Sequence, residues 1–122
     1  MALHNEIGLQ GEKLAGTYLA KKGYRIVVKN WRHGRGEVDL IAEYQGILVF
    51  VEVKTRSSTS YGQPDEFVGP KKVQMLAAAA CAYIEHINYQ GEIRFDILSV
   101  ILPPFDDPQI SHIPDAFFPG LG

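Results

Sequence analysis

The sequence predicts one α/β (α+β) domain, a single mixed sheet flanked by helices. Three observations lead there. Two segments, about residues 5–22 and 70–88, carry apolar side chains at helical spacing. Four shorter runs are rich in β-branched and aromatic residues and are bounded by glycine, proline and polar clusters. Their order, helix, three strands, helix, strand, suits helices packed against one sheet. The 122 residues make one domain-sized chain, since domains cluster near ~100–150 residues.

In the first helix, Ile7, Leu14, Ala15, Tyr18 and Leu19 recur at helical spacing, and Gly23 stops it. Tyr24–Trp31, "YRIVVKNW", is the first strand, and "RHGRG" is a turn. Glu37–Tyr44 and Ile47–Thr55 are strands joined by Gln45-Gly46. "RSSTSYGQPDEFVG" is a polar loop of the length that often carries function. Pro70 suits the first turn of a helix that runs to about Asn88 and buries Val73, Leu76, Ala77, Ala80, Tyr83, Ile84 and Ile87. Glu92–Leu102 is a fourth strand. The expected core spans about 6–102, with an irregular tail over 103–122.

Composition excludes several classes. The hydrophobic fraction of 46% and charged fraction of 21% are those of an ordinary globular chain. A single cysteine, Cys81, rules out a disulfide framework or zinc ribbon and reads as a small buried residue. The N-terminus lacks the pattern of a secretory signal. The longest apolar run, "LAAAACAYI", is far short of the about 20 residues a membrane span needs. The expected location is the cytoplasm, with no membrane contact. Net charge is −2, but Lys21–Arg35 holds six basic residues and no acid. Such a run is either solvated surface or a phosphate-binding patch.

The strand pair from Gly36 to Arg56, "GEVDLIAEYQGILVFVEVKTR", contains the informative residues. A two-residue loop sets Tyr44 opposite Ile47, hence Asp39 opposite Glu52 and Glu37 opposite Lys54. Alternation then gives Val38, Leu40, Ala42, Val49, Val51 and Val53 one apolar face, and Glu37, Asp39, Glu52 and Lys54 the other. Two directly opposed carboxylates repel. Spacing alone leaves two remedies. One is an ion network on a solvated face, Glu37 with Lys54 and Asp39 with Arg32 or Arg56. The other is a divalent cation between the carboxylates, to which the Val53 carbonyl could add an oxygen. Glu12 favours the cation, because it lies on the inward face of the first helix with Ala15, Gly16 and Leu19, and a carboxylate aimed inward needs a positive partner.

Three stretches, Glu12 in "GEKLAGTYL", Asp39 in "GEVDLIA" and Glu52-Val53-Lys54 in "VFVEVKTR", resemble the PD-(D/E)XK nuclease superfamily. The likeness is closest to the YraN-like family of small bacterial proteins, which are similar to archaeal Holliday junction resolvases, and it covers about Glu6 to Val100. It implies a restriction-endonuclease-like αβββαβ core. It implies a Mg²⁺- or Mn²⁺-dependent phosphodiesterase with Asp39, Glu52, Val53 and Glu12 about the ion, and Lys54 as the catalytic lysine. Val38 stands where the superfamily name has proline. DNA is the expected partner, contacted by Arg32, Arg35, Arg56 and Lys72. Lys72 follows the polar loop at a helix N-terminus, where phosphate is favoured. A homodimer is expected by likeness to the resolvases.

Some residues fall outside this reading. Arg94 and Asp96 share a strand face and are expected to pair with each other. His4, His33, His86 and His112 lack ligand spacing and read as surface residues. "HGRGE" is too short for a phosphate-cradling loop. Two alternatives to a nuclease stand: a nucleic-acid-binding module with little hydrolysis, and a protein-interaction domain with a structural acid–lysine network.

Overall fold

The computed structural model describes residues 2–57 and 69–117, with side chains from Glu6 onward. Most of the polar loop, residues 58–68, lies outside the described residues, as does the side chain of His4. The elements are α1 (Ala2–Lys21), β1 (Arg25–His33), β2 (Gly36–Tyr44), β3 (Ile47–Arg56), α2 (Pro70–Ile87), β4 (Ile93–Ile101) and β5 (Gln109–Phe117). The αβββαβ order is present, with one strand added.

The five strands form one sheet in the order β1-β2-β3-β4-β5. β1–β2, β2–β3 and β4–β5 are antiparallel, and β3–β4 is parallel. A parallel pair needs a crossover, which contains α2. α1 covers one face, over Leu40, Ala42, Val49, Val51, Leu98 and Val100. α2 covers the other, over Val38, Ile41, Leu48, Phe50 and Phe95. Most of these side chains are fully buried. Full burial of one such side chain is worth roughly 1.5–3 kcal/mol.

Local chemistry explains the boundaries. α2 begins with proline in its first turn and ends at Asn88. Asn88 takes a left-handed backbone (φ 54°), which asparagine tolerates. Gln45 and Gly46 both have positive φ, the signature of a tight two-residue hairpin turn. That turn produces the predicted register, from Tyr44 opposite Ile47 to Leu40 opposite Val51.

Four expectations need correction. The tail is not wholly irregular, because Gln109–Phe117 forms β5 on the sheet edge. Pro114 is compatible with a strand there, since an edge strand can lack a ladder N–H. Ile87 is exposed at the end of α2, and Ala79 takes a core place instead. Val38 packs under α2 rather than with Leu40 under α1. The alternation of β2 breaks at Asp39, near Asn30 of β1, whose backbone is left-handed (φ 57°). Cross-strand pairs Lys29–Leu40 and Trp31–Val38 flank these two residues. His112 is not a surface residue: β5 sets it opposite Leu98 with its side chain only 3% exposed.

Candidate functional site

The β2–β3 ladder stops at Leu40–Val51, one residue short of Asp39 and Glu52, although both strands continue. Beyond that point the Asp39 side chain takes over, its Oδ2 accepting the Val53 N–H at 2.8 Å. The predicted register holds as far as Leu40–Val51; beyond it Asp39 is bonded to the backbone of Val53, the residue after Glu52, and is not paired with Glu52 across a ladder. A pocket of about 160 Å³ lies here, lined by Arg35, Gly36, Glu37, Asp39, Glu52, Lys72, Met75 and Leu76.

Glycines let the helices come this close. At Gly36 an added Cβ would lie 2.3 Å from the Met75 carbonyl oxygen, so the start of β2 touches α2 directly. At Gly11 it would lie 2.0 Å from Thr55 Oγ1, so α1 crosses β3 beside Glu12. Only a residue without Cβ permits either approach.

Four carboxylates therefore influence one another. Burial pushes the Asp39 carboxyl up to about 8, reinforced first by the charge of Glu52 and then by Glu12 and Glu37; the bond from Val53 N–H opposes the rise. Glu12 is raised too, by burial first and by Glu37 next. With the Asn30 amide oriented to pair donors with acceptors, its nitrogen donates to Glu12 Oε1 (3.2 Å) and Glu37 Oε2 (3.0 Å). Glu52 is buried and accepts a bond from Lys72 Nζ at 2.9 Å. That bond raises the Lys72 ammonium above its ordinary value. Lys54 is half-buried on β3, two residues beyond Glu52 on the same face, beside Ser99 of β4.

Asp39, Glu52, Glu37 and Lys72 thus share the pocket, with Glu12 adjoining it. The basic run divides. Arg35 lines the pocket, and Arg32 pairs with Glu37 at 3.5 Å. Arg25 pairs with Glu43, and Lys22 Nζ lies 3.3 Å from His112 Nδ1, both at the other end of β1. Arg56 is exposed at the end of β3. Sequence reasoning gave Asn30 no role and Glu37 only an ion-pair role. The one available signal for Asn30 was an asparagine inside a β-branched run, where strand propensity disfavours it.

Asp96 belongs to a different place. It is fully buried and, as expected, pairs with Arg94, which donates to it at 2.8 and 2.9 Å. His112 Nε2 lies 2.7 Å from Asp96 and the Asp115 N–H donates to it at 3.0 Å. Burial alone would raise the Asp96 carboxyl, but the His112, Arg94 and Asp115 bonds hold it down at about 2. Asp96 alternates with Phe95, which packs under α2, so its cluster lies on the α1 face; it ties β5 to the sheet, away from the pocket.

Among the described residues, no three His, Cys, Asp or Glu side chains could hold a metal ion by themselves. The pocket's carboxylates are Glu37 and Asp39 on β2 and Glu52 on the adjacent β3; Asp39 and Glu52 have the main chain of Val53 beside them. That suits Mg²⁺, which takes one or two protein carboxylates and completes its shell with water and phosphate oxygens.

Residues 11–100 match the profile of the family described as "Uncharacterised protein family UPF0102". The chain belongs to UPF0102. Its relatives extend over nearly the whole chain. A UPF0102 protein of Phocaeicola vulgatus is 41% identical over 123 residues, covering 99% of each chain. One from Flavobacterium psychrophilum is 45% identical over 118 residues, covering 97% of this chain and 98% of the relative. One from Syntrophomonas wolfei is 43% identical over 116 residues, covering 94% of this chain and all of the relative. The UPF0102 match begins at Gly11 and so takes in Glu12, the β2–β3 pair and Lys72. Among the described residues no helix is long and apolar enough to cross a membrane.

Proposed function

We propose that this UPF0102 chain is a divalent-cation-dependent phosphodiesterase that cleaves DNA, with branched or otherwise structured DNA as the substrate class. The observation that carries the proposal is the gathering of Glu37 and Glu52 in one pocket, with Glu12 adjoining, about Asp39. Beside Glu52, Glu12 and Glu37 its carboxyl is driven up to about 8, a concentration of negative charge that a dication would offset. Asp39, Glu52 and the Val53 carbonyl would hold Mg²⁺ or Mn²⁺, with Glu12 as an accessory acid. A bound ion would polarise the scissile phosphate and acidify a water molecule.

The protein's own residues would do the rest. The Asp39–Val53 bond fixes the Glu52-Val53 segment against β2. Asn30 holds Glu12 and Glu37 at a set separation. Lys54, on the same face of β3 as Glu52, orients the attacking water and offsets charge growing on the phosphate in the transition state. In this reading it acts as a charge and not as a base. Arg35 and Lys72 in the pocket, Arg32 beside Glu37 and the exposed Arg56 at the end of β3 would receive neighbouring phosphates. A second copy of the chain would extend this limited DNA-facing surface.

The test is cleavage of duplex, flap and four-way-junction DNA with Mg²⁺ or Mn²⁺, beside Asp39→Asn. Metal-dependent cuts that vanish in the variant are expected. DNA binding without any cuts would leave the binding-module reading. No calorimetric binding of millimolar Mn²⁺, with or without DNA, would refute the nuclease reading.

A further inference from the structure

Lys72 stands out because of the kind of carboxylate it holds. Its partner Glu52 has a side chain only 7% exposed, fixed in a central strand, whereas the Lys72 side chain is 55% exposed. The bond is 2.9 Å long and sits at the wall of the pocket. The lysine is the partner free to leave, since its long stem can swing into solvent while the carboxylate cannot follow. Lys72 also feels the charges of Asp39 and Glu37. It therefore occupies the same field that would draw a divalent cation.

We propose that Lys72 is the resting-state counter-ion of the pocket, a tethered ammonium that competes with a divalent cation for Glu52 and passes to a substrate phosphate when the cation binds. This deepens the phosphodiesterase reading and rests on it. An ammonium and a dication at one carboxylate repel, so entry of the ion weakens the Lys72–Glu52 bond. Lys72 is the third residue of α2, after Pro70 and Lys71. Released, it stays at that helix's N-terminus, where phosphate is favoured. Arg35 lines the same pocket and offers the phosphate a second cation. Metal loading would thus expose a phosphate-binding ammonium, and in its absence the acids would remain partly neutralised.

The test uses the intact chain and metal alone. Mn²⁺ affinity is measured by calorimetry for wild type, Lys72→Met and Lys72→Arg. Removing a neighbouring like charge should tighten Mn²⁺ binding about tenfold in Lys72→Met, allowing for screening of a half-exposed ammonium. Lys72→Arg should stay near wild type. In parallel, Mg²⁺ is titrated into protein labelled at the lysine Cε, with the Lys72 signal assigned by its loss in Lys72→Arg. That signal should move with the midpoint of metal binding.

If wild type binds Mn²⁺ and folded Lys72→Met binds it no more tightly, the counter-ion role is refuted and the nuclease reading survives. If Lys72→Met does not fold, an unmoved Lys72 signal at saturating Mg²⁺ refutes it equally. If wild type binds no metal, both readings fall and Lys72–Glu52 is a structural ion pair.

Discussion

Replacing Asp39 by Asn removes a partly buried, titratable carboxyl yet keeps a side-chain oxygen for the Val53 N–H. The variant should be more stable than wild type in chelator, by an amount that depends on pH. The Asp39 carboxyl lies at about 8 in the folded protein, against 3.8 as its ordinary value. Between those limits the unfolded chain is ionised at this residue while the folded chain retains a proton. Folding takes up that proton, so the stability of wild type falls as pH rises through the window and the full penalty is present above it. Each unit of displacement corresponds to about 1.4 kcal/mol, which sets a ceiling of about 6 kcal/mol for this group. Water at the pocket mouth and movement of Lys72 reduce it, and we take ~2 kcal/mol as the expected gain. In a chain of this size that is a rise in Tm of roughly 6–10 °C. The assay is thermal unfolding in chelator from pH 5 to 8.5, with Mn²⁺ added in a second series. Asp39→Asn should melt close to wild type near pH 5, well above it at pH 8.5, and should lose stabilisation by Mn²⁺. A lower midpoint than wild type at pH 8.5, together with an unchanged response to Mn²⁺, would make Asp39 a structural acid and remove the main support for the proposed function.

Other substitutions separate the remaining roles. Lys54→Met should keep Mn²⁺ and DNA binding but lose cleavage, since it removes transition-state stabilisation and no metal ligand; parallel loss of binding and activity would make Lys54 structural. Reversing Arg32 and Arg35 to Glu should flatten the dependence of log affinity for DNA on log salt by about 1.8, two phosphates at about 0.9 each; an unchanged slope would show that they touch no phosphate. Gly11→Ala should cost about 1–3 kcal/mol by overpacking against Thr55, and because it moves α1 it should also lower the rise in Tm with Mn²⁺ through Glu12. A variant as stable as wild type would show that the helix has room to shift.

Much of this protein was decided locally and could be read along the chain. Gln45-Gly46 selects a tight turn, the turn sets the register, and the period of a strand puts Glu52 and Lys54 on one face of β3. Pro70 and the apolar spacing of 70–88 define α2 in the same way. Each is a matter of backbone dihedrals and neighbours a few residues apart. The choice of Asp39 and Glu52 as central acids, and the inward aim of Glu12, followed from that periodicity. Other features depend on packing between distant segments. Asn30 reaches Glu12 and Glu37 where β1 takes a left-handed step beside Asp39, next to the point where Val38 faces α2. Lys72 reaches Glu52 only because α2 descends onto Gly36, where no side chain keeps it away. β5 exists because the edge of β4 offers unpaired backbone groups and a buried Asp96 that takes His112. A segment interrupted by Pro114 and Asp115 has too little strand propensity to show this alone. The sequence by itself determined which side chains each strand and helix presents; only the tertiary structure decided which of them meet, because burial and charge act between residues the chain keeps far apart.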